Sequence, residues 1–189
     1  IFAVALQNIG GGAILMTYLT FMVNVWGIPT NIGTAGMVIL GAGGFLAAPL
    51  IAKFSPKFGR KKVLLGGVVI LSIGLIIGFL CNQVSFMNNY FFYVLTFAVF
   101  GFGWFICTVV PFPMILEFSD VKNNGTFTSM FTVATFAPRA FTGLLAGVFI
   151  DLLGYNALFP YALVFVVISF IVLLGVKHGE LKTKDSKLV

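Results

Sequence analysis

Charge is what this sequence has least of. Lysine and arginine number 11, aspartate and glutamate 5, and charged residues fill only 8% of 189 positions. Soluble domains carry about 25%. No charged residue occurs before Lys53, and a run of that length cannot be the surface of a water-soluble protein. The shortage excludes a soluble globular enzyme, a disordered segment and a nucleic-acid-binding module. Cysteine is equally scarce. Cys81 and Cys107 lie in or beside apolar stretches, outside any CxxC or Cys/His cluster, so neither a metal site nor a disulfide framework is expected. The single histidine is His178, and HExxH, GxSxG, P-loop and dinucleotide-binding patterns are all missing. An intramembrane enzyme needs a nucleophile with a base, or a metal cluster. The chain therefore reads as a non-enzyme without a cofactor.

Hydrophobic residues make up 60% of the chain. A bilayer core about 30 Å thick is crossed by roughly 20 helical residues. Six apolar stretches meet that length, at about 2–26, 32–52, 63–81, 90–110, 127–150 and 158–176, followed by a charged tail at 177–189. Backbone polar groups cannot stay unpaired in hydrocarbon, so all six are expected to be helices. A barrel would need shorter, alternating strands. The prediction is an all-α membrane protein, a six-transmembrane-helix bundle in a lipid bilayer. Gly27-Ile28-Pro29 should stop the first helix, and Pro111 and Pro113 should disrupt the end of the fourth.

Every basic residue except Arg139 falls in the second-to-third connection, the fourth-to-fifth connection or the tail. The intervening connections hold none. Basic residues mark the cytoplasmic side, so both ends of this segment should be cytoplasmic, with the plasma membrane as the expected location. The opening has no Met, no charged n-region and no cleavage site. It reads as part of a longer polypeptide rather than as a signal peptide.

Arg139 stands about twelve residues into the fifth stretch, just after Pro138. An intramembrane charge is costly and usually faces a cavity or an acidic partner. The proline should kink or unwind the helix there, and broken helices at mid-membrane hold transporter sites. No carboxylate lies at comparable depth, which leaves a solute anion or a residue elsewhere as its partner. Polar residues of the first stretch, Gln7, Asn8, Thr17, Tyr18, Thr20 and Asn24, could line a pathway, and Gln7, Tyr18 and Trp104 are candidates to bond or stack against a sugar-like solute, helix–helix hydrogen bonding being the alternative. At the basic end, Glu117 and Asp120 could latch onto Lys57, Arg60, Lys61 and Lys62 in one conformational state, solvated loop charges being the alternative. The small-residue pairs Gly74/Gly78 and Gly143/Gly147 should let helix backbones approach closely.

These features resemble the C-terminal half of a major facilitator superfamily transporter. The superfamily's loop pattern is roughly G-x-x-x-D-R-x-G-R-[RK]. Across residues 52–61, Gly59, Arg60 and Lys61 match it, while Lys57 replaces the first arginine and Pro56 the aspartate. The segment 113–155, with Glu117, Asp120, Arg139 and Gly154-Tyr155, is similar to the glycoside–pentoside–hexuronide cation symporters. The resemblance implies half of a twelve-helix fold, a preceding six-helix half as partner, and alternating access. It also implies a small solute moved with H+ or Na+, and a cytoplasmic gate at Gly59, Arg60 and Lys61. The rival expectations are a membrane adaptor or assembly subunit without transport, and a half-size transporter working as a dimer.

Overall fold

The computed structural model describes residues 1–87, 89–116 and 123–176. It contains α1 (Phe2–Asn24), α2 (Thr30–Phe58), α3 (Arg60–Gln83), α4 (Tyr90–Val109), α5 (Pro111–Leu116), α6 (Asn124–Leu153) and α7 (Leu158–Leu174). Two single 3₁₀ turns, Ser85–Met87 and Tyr155–Ala157, lead into α4 and α7. Among the described residues there is no strand. Six helical segments are long and apolar enough to cross a membrane, with α4 and α5 together forming the fourth. This is a multi-pass integral membrane bundle.

Helix ends depart from the hydropathy boundaries in an instructive way. The helix α2 runs on through Lys53, Pro56 and Lys57, and α3 begins at Arg60. The basic cluster is therefore two helix ends, not a loop. Long basic side chains reach the interface while their backbones remain in helix. Gly59 alone joins α2 to α3, with φ of 87°. That left-handed conformation suits glycine and strains a residue with a Cβ. The disruption expected at Pro111 and Pro113 shrinks to Val110, after which α5 starts at Pro111. Proline fits a first helical position, where its missing N–H has no partner to lose. Asn89 caps α4, its Oδ1 accepting from the N–H groups of Phe91 at 3.0 Å and Phe92 at 3.3 Å.

The bundle divides into two clusters. In one, α4 packs between α2 and α3; in the other, α1 packs between α6 and α7. Packing of α3 on α7 joins them. Small residues set the spacing, as expected where lipid gives no hydrophobic drive between helices. A Cβ on Gly74 would lie 2.8 Å from the backbone nitrogen of Phe100, and one on Gly103 would lie 2.5 Å from that of Leu71. Both positions fix the α3–α4 crossing. Ser169 on α7 donates to the Ala3 carbonyl on α1 at 3.0 Å. The helices α2 and α6 are the least buried.

An aromatic cluster closes the end of the bundle away from the basic residues. Trp26 stacks on Tyr93 with centroids 4.1 Å apart and donates from Nε1 to Asn82 Oδ1 at 2.5 Å. Phe21 meets Trp26 and Phe159 edge-on. Tryptophan and tyrosine concentrate where apolar surface meets the wet interface. Cys81 and Cys107 are both buried and unbridged.

Candidate functional site

The best-defined polar constellation surrounds Arg139, midway along α6. The helix continues through Pro138 without unwinding. Proline removes one backbone donor, and other groups hold the region together. Thr142 Oγ1 donates to the Pro138 carbonyl at 2.7 Å and lies 3.5 Å from the Asn8 carbonyl on α1. Serine and threonine hydroxyls commonly support proline-containing membrane helices in this way.

Arg139 Nε donates to Asn8 Oδ1 at 2.6 Å. The Asn8 amide nitrogen is engaged in its own helix, donating to the Val4 carbonyl at 2.8 Å. That bond turns the amide oxygen toward α6, where it accepts the charged donor. A charge-assisted bond of this kind is about twice as strong as a neutral one. The guanidinium carbon lies 5.5 Å from the Trp104 ring centroid on α4 and 5.6 Å from that of Phe136, within cation–π range. Gly11 admits the Trp104 ring, since a Cβ there would collide with it. Gly12 faces Arg139 Cγ and Thr142, with a Cβ position 3.8 Å and 3.7 Å from them. Three helices thus share one half-buried cation. Among the described residues, its two terminal nitrogens make no hydrogen bond or ion pair.

Trp104 is the sequence candidate that the structure brings to Arg139. Gln7 and Tyr18 lie elsewhere. Gln7 is 2% exposed, and its amide nitrogen and oxygen find no partner among the described residues. It makes no hydrogen bond to Arg139. Tyr18 is 1% exposed and donates to the Gly33 carbonyl at 3.2 Å, fastening α1 to α2. Its ring meets Phe97 edge-on with centroids 4.3 Å apart. Both are buried within this bundle. Asn8 is one of the six polar residues of the first stretch considered for a pathway, and nothing in the sequence singled it out as the one that meets Arg139. Its signal was the same as that of Gln7, a polar side chain in an apolar helix, but one position on.

At the basic end, Arg60 Nη1 donates to the Pro113 carbonyl at 2.8 Å, tying α3 to α5. Lys57 Nζ lies 5.5 Å from the Phe58 ring centroid. Lys61 begins α3 beside Arg60, and Gly59 forms the turn before them. Glu117 and Asp120 fall outside the described residues, as does the tail. The glycine pairs part company. Gly74 and Gly78 face Phe100 and Phe159 closely, whereas Gly143 and Gly147 have nothing within 4 Å of a Cβ position. No group of three or more histidine, cysteine or acidic residues able to hold a metal occurs among the described residues.

In a comparison with curated proteins, none matches the chain. The family model of the Major Facilitator Superfamily matches residues 1–188. With six apolar helices along the same span, the chain belongs to this superfamily of membrane transporters.

Proposed function

We infer that this chain is one six-helix half of a secondary active transporter that moves a small solute by alternating access. The observation that carries the reading is Arg139. A cation at mid-membrane is expensive, yet here it is held at Nε by Asn8, flanked by Trp104, and left with two terminal nitrogens that make no hydrogen bond or ion pair among the described residues. Such a group suits a solute oxygen, or a carboxylate supplied by the other half of the fold. The unpacked faces of α2 and α6, including Gly143 and Gly147, suit docking of that second half. The similarity to sugar–cation symporters makes a sugar moved with H+ or Na+ the first solute class to try. The basic helix ends at Lys57, Arg60 and Lys61 then face the cytoplasm and form its gate.

The test is uptake of labelled mono- and disaccharides into proteoliposomes holding the full native polypeptide, under imposed H+ or Na+ gradients. Uptake should be gradient-driven, and Arg139→Ala should abolish it while membrane insertion is unchanged. Asn8→Leu should lower it about tenfold, the worth of a charged hydrogen bond. Normal uptake by Arg139→Ala would sink the site assignment. Absence of flux from any solute, with a stable complex to another membrane protein, would favour the adaptor reading.

A further inference from the structure

A second feature lies outside the Arg139 site. The helices α2 and α3 are joined by one residue, yet both pack mainly on α4 rather than on each other. Between them is a cavity of about 400 Å³. Leu50, Phe54 and Phe58 line one wall at every fourth position, and Lys62, Gly66 and Ile70 line the other. Phe102 and Ile106 of α4 form the floor. Fourfold spacing places each set in one row along its helix, so the cavity is an elongated groove parallel to the helices. Its volume is within the range of about 300–1,000 Å³ usual for ligand sites.

Length and charge define the occupant. Eight residues of helix span about 12 Å, close to the roughly 15 Å hydrocarbon depth of one leaflet. The groove is apolar along that depth and charged at one end only. Lys62 lines it, and Lys57 projects at the same end beside Phe58. No ion pair to either lysine occurs among the described residues, and the single described carboxylate, Asp151, lies at the far end of α6. Gly66 leaves the wall open, with nothing within 4 Å of a Cβ position.

We propose that this groove binds one anionic phospholipid, an acyl chain lying against Gly66 and Phe54 and the phosphate headgroup against Lys62 and Lys57. Basic pockets between transmembrane helices recognise acidic headgroups, and the apolar groove adds chain burial at a fixed depth. This site does not depend on the transport reading.

The experiment is thermal unfolding of the full native polypeptide in detergent after delipidation, with phosphatidylglycerol, phosphatidylcholine or inorganic phosphate added. Phosphatidylglycerol should raise Tm by at least about 3 °C, and the other two by much less. Lys62→Gln should remove most of the phosphatidylglycerol increment. Gly66→Leu grows into open space, so it should keep its lipid-free Tm and lose the increment. In parallel, the thiol introduced by Gly66→Cys should react with a maleimide in lipid-free detergent and be protected by phosphatidylglycerol. Equal shifts from both lipids would reduce the groove to ordinary lipid contact, and an equal shift from phosphate would make it a phosphate site. A Gly66→Leu variant that folds and keeps the full increment overturns the proposal. So does an introduced thiol that stays unreactive without lipid, since protein would then cover the groove.

Discussion

Two helices carry the same small-residue pattern and use it in opposite ways. In α3, Gly74 and Gly78 are pressed against Phe100 and Phe159. In α6, Gly143 and Gly147 have no described residue within 4 Å of a Cβ position. A GxxxG spacing states only that a backbone is accessible along one stripe. Whether another helix fills that stripe depends on the rotation of the helix in its bundle. The α3 stripe is part of a finished interior, and the α6 stripe is a surface awaiting a neighbour or lipid.

Substitutions can break this contrast. The largest effect should come from Gly74→Leu. Its first added carbon lands 2.8 Å from a backbone nitrogen, and backbone cannot step aside as a side chain can. Overpacking of this kind costs about 3 kcal/mol or more. The variant should give little monodisperse protein on size exclusion, with a lowered Tm in what remains. Trp26→Phe should have an intermediate effect. It keeps a ring near Tyr93 and removes the Nε1 donor to Asn82. Asn82 already has a buried amide nitrogen without a described partner, so losing its other contact should cost about 1–2 kcal/mol by thermal unfolding. Smallest in stability should be Gly143→Leu, within about 0.5 kcal/mol of the parent. The same variant sharpens the comparison in a second assay. If α6 docks a further six-helix half, its uptake should fall although its Tm does not.

The six spans were legible because apolar length is a strong signal and helix is the default solution for an open chain in hydrocarbon. Their ends were not. Hydropathy stops at the first charge, whereas backbone hydrogen bonding carries α2 beyond Lys53 to Phe58. Prolines misled in the same direction. Pro138 leaves α6 helical, and Pro111 opens a helix. Arg139 was legible because a charge in an apolar run has few innocent explanations. Its partner was not. Gln7 and Asn8 differ by one position, which is about 100° of helix rotation. That turn sends one into the core and the other to the cation. Single-sequence reading fixes how far along a helix a residue lies much better than which way it faces.

The Gly59 link has a mechanical consequence. A one-residue connection leaves two backbone torsions as the freedom between the ends of α2 and α3. The two helices can swing about that joint like the legs of a compass, but their adjoining ends cannot slide past each other. The Arg60 bond to Pro113 clamps the same joint to α5. Any motion that tilts α2 therefore pivots here, and its displacement grows with distance from this corner.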